Sequence, residues 1–254
     1  IFRKNPELKE AAQFSNSGNE ECFGSIGDAS TSEGAIWESV NAAGVLQIPL
    51  ALSVADDGYG ISVPTSYQTT KGSISKALAG FAATDELDGI AIYNVEGWDY
   101  PALCQMYQEG ARVMRETHQP ALFHISELTQ PQGHSTSGSH ERYKSKDRLK
   151  WEKEFDCKRQ FRLWMLATEV AEEQELKDIE AQAKADANAA RDRAWKQFRQ
   201  PIQELQTRLE TILSENIPAE NRQEALKEIS RLQNPSRTEL LTLARHLQFK
   251  LYHQ

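Results

Sequence analysis

The chain has 254 residues, of which 39% are hydrophobic and 26% are charged, and its formal net charge is -8 at pH 7. This composition indicates a soluble globular protein of one or two domains, and the acidic balance argues against a large nucleic-acid-binding surface. No apolar run approaches the roughly 18 residues that a membrane-spanning helix needs, so we expect neither nucleic acid nor a membrane as a partner.

The three cysteines, Cys22, Cys104 and Cys157, are widely spaced and odd in number. A disulfide framework normally uses an even number of cysteines, so we expect free thiols and a reducing, cytoplasmic compartment. The chain opens with IFRKNPELKE, which has neither an initiator methionine nor the pattern of a signal peptide. It therefore resembles a piece cut from a longer polypeptide.

Short apolar runs bounded by glycine or proline alternate with helical periodicity along the first half of the chain. They predict strands over 22–28, 48–56, 89–95 and 120–128, and helices over 33–47, 74–83 and 100–118. Ser30, Thr31 or Ser32 is expected to cap the first helix. Alternation of strand and helix is typical of a parallel sheet covered by helices, so we predict an α/β fold that binds ligands at the carboxyl ends of its strands.

The composition changes near residue 166, beyond which alanine, leucine and charged residues dominate and glycine is almost absent. We predict an α/β domain over 1–165 and an all-helical segment over 166–254. Helix breaks are expected near Pro201, Pro218 and Pro235, each of which would open a new helix. No cluster of catalytic residue types occurs in this segment, so it is interpreted as a linker or docking element.

Two aspartates follow the first two predicted strands. Asp28 comes after the first strand and Asp57 after the second, so a parallel sheet would bring both carboxylates to one edge. Mg2+ commonly takes one or two protein carboxylates together with phosphate oxygens. The amides of Ala29 and Ser30 open the predicted helix, where a phosphate is stabilised by free N–H groups. From spacing alone, Asp28 is either a helix cap or one corner of a metal and diphosphate site.

The segment QPQGHSTSGSHERYKS, residues 130–145, follows the last predicted strand and so emerges at the same sheet edge. It carries two histidines, several hydroxyl groups and the cations Arg142 and Lys144. His134 can donate a hydrogen bond to a phosphate oxygen or act as an acid or base near neutral pH. The segment is predicted to be a mobile polar loop that reaches an anionic ligand, with a solvated surface loop as the alternative.

Three motifs occur in a fixed order. GDASTSEG at 27–34 is followed by IP at 48–49 and by DDGYGIS at 56–62. Together they resemble the thiamine-diphosphate motif of the α subunit of the 2-oxo acid dehydrogenases, the decarboxylating first component of those complexes. GHSTSGSHERYKS is similar to the histidine-bearing loop of the branched-chain members. The resemblance covers about residues 20–165 and extends to fused enzymes in which the α and β portions share one polypeptide.

The resemblance implies roles for individual residues. Asp28 and Asp57 would bind Mg2+ through their carboxylates, and Tyr59 would add its backbone carbonyl. His134 would contact the diphosphate and guard the channel to the thiazolium, which makes it the catalytic candidate. The cofactor-binding residues implied by the motifs are Gly27, Asp28, Ala29, Ser30, Asp57, Tyr59, Gly60, Ile61 and His134.

Two departures from the family pattern matter. Ala29 stands where the family has glycine, which is acceptable if the backbone there has a negative φ. Asp57 stands where the family has asparagine, which keeps an oxygen ligand but adds negative charge near the diphosphate. We therefore expect a higher affinity for the metal and a lower affinity for the cofactor when the metal is absent.

The resemblance implies an enzyme that decarboxylates a 2-oxo acid on thiamine diphosphate with Mg2+ and passes the acyl group to a lipoyl acyltransferase. The HSTS loop and GISVP favour branched-chain substrates. The implied partners are a β portion or subunit with the pyrimidine-binding domain, the lipoyl acyltransferase, and further copies in a homo-oligomer or α2β2-like assembly. The isolated chain is expected to be inactive. The alternatives are a pyruvate, acetoin or transketolase-like thiamine enzyme, and a non-catalytic helical scaffold.

Overall fold

The computed structural model of the protein describes residues 18–134 and 139–252. The chain divides into two compact units, the first ending at Glu172 and the second beginning at Glu173. The composition predicts this boundary earlier, at residue 165.

The later boundary has a structural cause in the last helix of the first unit, Cys157–Ala167. Its aromatic side chains pack on an earlier helix that begins at Tyr100. The ring centroids of Phe161 and Trp164 lie 4.1 Å and 5.6 Å from that of Tyr100. Because these contacts are made inside the first unit, the helix belongs to the α/β part of the chain.

A parallel sheet forms the centre of the first unit. Its strands are β1 (Cys22–Gly27), β2 (Leu50–Ala55), β5 (Ala91–Glu96) and β6 (Ala121–Ser126), and a separate short hairpin consists of β3 (Tyr59–Gly60) and β4 (Val63–Pro64). The order across the sheet is β1-β2-β6-β5, and every neighbouring pair is parallel. The helices of this unit are α1 (Gly34–Leu46), α2 (Ile74–Ala77), α3 (Tyr100–Thr117), α4 (Lys146–Glu154) and α5 (Cys157–Ala167). The predicted α/β fold is confirmed.

Helices cover both faces of the sheet. On one face, α1 and α2 pack on the strands around Val40, Leu52, Val54, Ile74, Leu78, Ile90 and Leu122. On the other face, α3 packs on the strands around Ala51, Met114, Ala121 and Phe123. Burying an aliphatic or aromatic side chain of this size stabilises the fold by about 1.5–3 kcal/mol. The continuous apolar sequence of β2 therefore follows from its burial on both faces.

The second unit is helical, as predicted. It comprises α6 (Glu173–Asn216), α7 (Ala219–Ser230) and α8 (Arg237–Tyr252), packed around Leu213, Ile217, Ala225, Ile229 and Leu247. Pro218 is the N-cap residue of α7, and Pro235 lies two positions before α8, so both prolines precede helices as the sequence predicts.

The predicted helix break near Pro201 is wrong, because α6 continues through this residue. A proline inside a helix removes one backbone hydrogen bond and crowds the preceding turn, at a cost of about 3 kcal/mol. Burial of the neighbouring Ile202 side chain offsets this cost in part, and Arg199 Nη1 donates a hydrogen bond to the Pro235 carbonyl at 2.7 Å. Tertiary contacts therefore decide the length of α6.

In the ranges that the structure describes, no helix is both long and apolar enough to cross a membrane. Cys22, Cys104 and Cys157 are free thiols. Cys22 is exposed on β1, whereas the other two are partly buried.

Candidate functional site

The carboxyl ends of β1 and β2 bring Asp28 and Asp57 to one edge of the sheet. Gly27 and Ala55, the last residues of these strands, are register partners, and the Asp28 amide donates a hydrogen bond to the Ala55 carbonyl at 3.0 Å. Asp28 is 6% exposed and Asp57 is 7% exposed. Two buried carboxylates therefore lie at neighbouring strand ends, as the strand pattern predicts.

A cavity of about 660 Å³ lies at this edge. Its volume falls within the roughly 300–1,000 Å³ that is typical of small-molecule and cofactor sites. All nine residues implied by the family motifs line it, namely Gly27, Asp28, Ala29, Ser30, Asp57, Tyr59, Gly60, Ile61 and His134. Residues separated by more than a hundred positions in the sequence are thus brought to one cavity.

The carboxyl group of Asp28 lies among other negative charges. Burial, together with the charges of Asp56 and Asp57, raises the pKa of Asp28 to about 6. A hydrogen bond from Thr65 Oγ1 to Asp28 Oδ2, at 3.1 Å, opposes this rise. Because buried negative charge is unfavourable without a positive partner, a cation at this edge would be stabilised.

The negative charge of Asp57 is partly balanced by a hydrogen bond and by a nearby cation. Burial raises its pKa, while a hydrogen bond from the Tyr59 amide at 3.2 Å and the charge of Lys144 lower it. The positive charge of Lys144 therefore favours the ionised form of Asp57. The extra negative charge that aspartate brings here, compared with the family's asparagine, is offset in part by Lys144.

The carboxylate oxygens at this edge are of the type that Mg2+ takes when it is bound together with a diphosphate. Within the described ranges, no group of three or more His, Cys, Asp and Glu side chains is arranged to hold a metal ion. Mg2+ does not need such a group, since it takes one or two carboxylates and completes its shell with water and phosphate oxygens. A structural zinc site would need four side-chain ligands. The two buried carboxylates of Asp28 and Asp57 therefore suit a metal shared with a phosphate group.

The start of α1 differs from its prediction. Ala29–Ser32 forms a short 3-10 turn, and the N-cap residue of α1 is Glu33, which makes no side-chain capping hydrogen bond. Neither Ser30, Thr31 nor Ser32 caps the helix, because the 3-10 turn places them before it. The amides of Ala29 and Ser30 consequently belong to this turn and do not open α1, so the helix-terminus argument for phosphate binding does not apply to them.

The turn from Asp56 to Ile61 carries unusual backbone. Gly58 has φ of 82°, and Asp56 Oδ1 accepts a hydrogen bond from its amide at 2.8 Å. Ile61 has φ of 60°, a value that is rare for a β-branched residue and is worth roughly 1–3 kcal/mol of strain. Ile61 is also exposed and lines the cavity. Strained backbone of this kind is concentrated at functional sites, and no sequence pattern indicated it here.

The loop after β6 reaches the cavity with one of its two histidines. The side chain of His134 is exposed and lines the cavity. His140 is mostly buried, and its Nε2 lies 3.1 Å from the Glu141 carboxylate. Residues 135–138, which carry the rest of the HSTS motif, lie outside the described residues.

Lys144, one of the two cations of the loop predicted to reach an anionic ligand, is not available for that contact. Its ammonium group is buried and lies 2.8 Å and 3.0 Å from the two carboxylate oxygens of Glu152 on α4. It also lies 5.0 Å from the ring centroid of Tyr59. The ring centroids of Tyr59 and Tyr143 lie 5.5 Å apart. The end of the loop is therefore tied to the turn that carries Tyr59.

Sequence reasoning missed several residues of the site. The cavity is also lined by Ala55, Val63, Gln68, Leu128, Thr129 and Gln130. Thr65 does not line the cavity, but it is buried and bonds to Asp28 from 37 positions away. A hydroxyl residue in a polar loop gives no local signal of such a contact, so only the tertiary structure reveals it.

Comparison with known proteins gives the same family as the sequence motifs. The chain matches the model of the dehydrogenase E1 component family over residues 9–216. It is 25% identical to the pyruvate dehydrogenase E1 component subunit alpha of Rickettsia bellii over 173 residues, which are 68% of this chain and 50% of the relative. The chain spans about half the length of the pyruvate dehydrogenase relatives that it matches.

Two further relatives are named as dehydrogenases of branched-chain 2-oxo acids. The chain is 31% identical to the 3-methyl-2-oxobutanoate dehydrogenase subunit alpha of Mycobacterium tuberculosis over 125 residues, 49% of this chain and 32% of the relative. It is also 31% identical to the mitochondrial 2-oxoisovalerate dehydrogenase subunit alpha 2 of Arabidopsis thaliana over 143 residues, 55% of this chain and 28% of the relative.

A parallel sheet with a cavity at the carboxyl ends of its strands defines an α/β ligand-binding domain. Because the family model covers most of the chain, the protein belongs to the dehydrogenase E1 component family. Its curated relatives are α subunits of pyruvate and branched-chain 2-oxo acid dehydrogenases, which confirms the resemblance found in the motifs. The family implies thiamine diphosphate as the cofactor.

Proposed function

We propose that this chain holds the Mg2+-diphosphate end of thiamine diphosphate in a 2-oxo acid dehydrogenase. The observation that carries the proposal is the pair of buried carboxylates, Asp28 and Asp57, at adjacent strand ends beside a cavity of about 660 Å³. Family membership and the order of the motifs support it. The second unit has the role of a linker or docking element in this proposal.

The proposed ligand set consists of Asp28, Asp57 and the backbone carbonyl of Tyr59, with water and diphosphate oxygens completing the shell of Mg2+. Thr65 holds one oxygen of Asp28 at 3.1 Å, which restricts the carboxylate to one orientation. The Tyr59 amide does the same for Asp57 at 3.2 Å. Carboxylates fixed in this way lose little freedom when a metal binds, and this favours metal affinity.

Thiamine diphosphate, when bound, supplies the carbanion that attacks the keto carbon of the 2-oxo acid. The residues of this chain would hold the Mg2+ that neutralises the diphosphate at the opposite end of the cofactor. His134, at the cavity, is placed to donate a hydrogen bond to a phosphate oxygen or to move a proton. Apolar lining from Ile61, Val63 and Leu128 would exclude water from the channel to the reacting end.

The substrate is proposed to be a branched-chain 2-oxo acid, on the basis of the HSTS and GISVP sequences. The relatives leave pyruvate as the second candidate, because the pyruvate dehydrogenase matches cover more of the chain while the branched-chain matches have higher identity. The acceptor is proposed to be a lipoyl acyltransferase. A β portion or subunit would supply the pyrimidine-binding half of the site, in a homo-oligomer or α2β2-like assembly in a reducing cytoplasm.

The test is a decarboxylation assay on the complete protein with its β portion. Release of CO2 from 3-methyl-2-oxobutanoate and from pyruvate is compared, with a lipoyl domain or an aldehyde as the acceptor. Branched-chain turnover with lipoyl reduction is expected. Transfer to the aldehyde alone would support a transketolase-like or acetoin-cleaving enzyme. Absence of both activities in a folded protein that does not bind the cofactor would favour a scaffold.

A further inference from the structure

Asp56 and Asp57 are neighbours in the sequence, but their side chains lie on different sides of the turn. Asp57 lines the cofactor cavity, whereas Asp56 lines a second, polar cavity of about 380 Å³ together with His124. Asp56 is 8% exposed, and both of its carboxylate oxygens are engaged. Oδ1 accepts the Gly58 amide at 2.8 Å, and Oδ2 lies 2.8 Å from His124 Nε2.

His124 is an unusual residue for its position, because it lies within the apolar central strand β6 and is only 2% exposed. Its neighbours in register are Val54 on β2 and Asn94 on β5. An apolar residue would pack there without any hydrogen-bonding requirement. A buried imidazole must instead satisfy both ring nitrogens, so its partners define what it does.

The partners of His124 fix its tautomer. Nδ1 lies 2.9 Å from Ser75 Oγ and 3.4 Å from Asn94 Nδ2, and Asn94 Oδ1 accepts a hydrogen bond from Ser126 Oγ at 3.0 Å. An amide nitrogen can only donate, so Nδ1 is the accepting nitrogen in the neutral ring. Nε2 therefore carries the hydrogen and donates it to Asp56.

The backbone of Asp56 is held by β6 and by the residues that follow it. Its amide donates a hydrogen bond to the Ile125 carbonyl at 2.9 Å, and its carbonyl accepts one from the Leu128 amide at 3.0 Å. The hydrogen bond from His124 adds a third link, through the side chain. The next residue, Asp57, and the turn that follows it carry the proposed metal ligands. The position of those ligands consequently depends on how firmly Asp56 is anchored.

We infer that His124 is a positioning residue for the metal-binding turn, acting through Asp56. It touches neither the cofactor cavity nor the metal ligands directly, and it fixes the turn that carries Asp57 and Tyr59. This inference rests on the proposed function, because the turn must bind a metal for its position to matter. Without the imidazole, the Asp56 carboxylate would keep only the Gly58 amide as a partner and would draw the turn toward solvent.

Two substitutions of similar polarity separate this role from a general contribution to folding. In His124→Gln, the side-chain amide reaches the place of Nε2 and keeps the donor to Asp56. In His124→Asn, the shorter side chain reaches only the place of Nδ1, which loses that donor while keeping contact with Ser75. His118→Gln serves as the control, since His118 ends α3 and bonds to the Gly18 carbonyl instead.

The measurement is calorimetric titration of the complete protein with thiamine diphosphate at saturating Mg2+, paired with hydrogen exchange of residues 56–60 in the protein without metal. We expect His124→Asn to weaken binding at least about tenfold, the loss of one hydrogen bond to a charged group, and to speed exchange at Gly58. We expect His124→Gln and His118→Gln to stay within about threefold of the wild type.

Equal affinities and equal exchange in the Asn and Gln variants would overturn the positioning role, even if both variants melt at a lower temperature. If the wild type itself fails to bind thiamine diphosphate, the proposed function and this inference both fail. Wild-type binding with no difference between the variants overturns this inference alone.

Discussion

The methyl group of Ala29 occupies the space next to Gly60, where a Cβ on residue 60 would lie 2.8 Å from it. Ala29 is the position at which the chain departs from the glycine of the family motif. It has a negative φ, so alanine causes no backbone strain there. The extra methyl group at residue 29 and the absence of one at residue 60 therefore fit together at the wall of the cavity.

We predict that Gly60→Ala destabilises the protein by about 1–3 kcal/mol, because the added methyl group overpacks against Ala29. The same methyl group would also lie 2.5 Å from the end of the Gln68 side chain. That side chain is flexible and can move, so Ala29 is the decisive contact. In the double variant Ala29→Gly, Gly60→Ala, most of the loss should be recovered. Urea unfolding of the two single variants and the double variant measures the coupling energy between the two substitutions. Stability changes that simply add up in the double variant would contradict the proposed contact.

We predict that Asp28→Asn stabilises the metal-free protein near neutral pH. The folded-state pKa of Asp28 is raised to about 6 from 3.8, so the folded state holds this proton more tightly than the unfolded state. The stabilisation that comes from the protonated Asp28 carboxyl group is therefore fully present below pH 4, and it is lost as the pH rises through 6. The gain at pH 7.5 should be at most about 3 kcal/mol.

Urea unfolding of wild type and Asp28→Asn without Mg2+, at pH 4 and pH 7.5, tests this prediction. The stability difference should almost vanish at pH 4. Asp88→Asn is the control, because Asp88 is exposed and lies outside the cavity. An Asp28→Asn variant that is less stable than the wild type at pH 7.5 would refute the unfavourable burial of this charge.

The buried ion pair of Lys144 and Glu152 gives a third prediction. Their side chains are 1% and 3% exposed, and Glu152 also accepts a hydrogen bond from Arg148 Nε at 2.9 Å. Glu152→Gln should cost about 3–5 kcal/mol, because it leaves the buried ammonium group of Lys144 without its counter-charge. Replacing Lys144 by Met and Glu152 by Leu together should cost less than the sum of the two single changes.

The exposed pair of Glu109 and Arg112 is the matched control for this cycle. Its coupling energy should be below about 1 kcal/mol, since solvent screens exposed ion pairs. A coupling between Lys144 and Glu152 that is as small as the control value would show that the buried pair does not anchor the loop.

His134→Ala should slow acyl transfer about 100-fold, the usual contribution of one acid–base or hydrogen-bonding group, and leave the melting temperature nearly unchanged. The side chain is exposed, so little packing is lost. Single-turnover kinetics on the complete protein, together with thermal unfolding, measure both quantities, with His118→Ala as the control. A lower melting temperature with unchanged transfer would assign His134 a structural role.

Local sequence patterns were sufficient for the four strands of the sheet, for α1 and α3, and for the position of Asp28 and Asp57 at one sheet edge. This success has a physical reason, because the apolar periodicity of a buried strand is local and the parallel topology follows from the alternation of elements. The helix predicted over 74–83 is shorter than expected, because the α-helix ends at Ala77 and a 3-10 helix follows over Leu78–Phe81. The continuity of α6 through Pro201 was missed, because burial of its neighbours outweighs a local helix-breaking preference.

The residues that support the site could not be predicted in the same way. His124 lies in an apolar strand and bonds to Asp56 across 68 positions, so its sequence context indicates only a buried strand. Lys144 lies in a charged segment that is typical of a solvated loop, yet Glu152 on α4 takes it into the interior. Pairing between distant polar groups depends on the finished fold, and one sequence carries no local signal of it.

We propose that Asp28 and Asp57 together anchor a Mg2+-diphosphate group. Calorimetric titration of the complete protein with thiamine diphosphate, with and without Mg2+, tests it most directly. We predict Mg2+-dependent binding in the wild type and in Asp88→Asn, and loss of binding in Asp28→Ala and Asp57→Ala variants that remain folded by circular dichroism. Binding of equal strength in Asp28→Ala, or binding that does not require Mg2+, would contradict the claim.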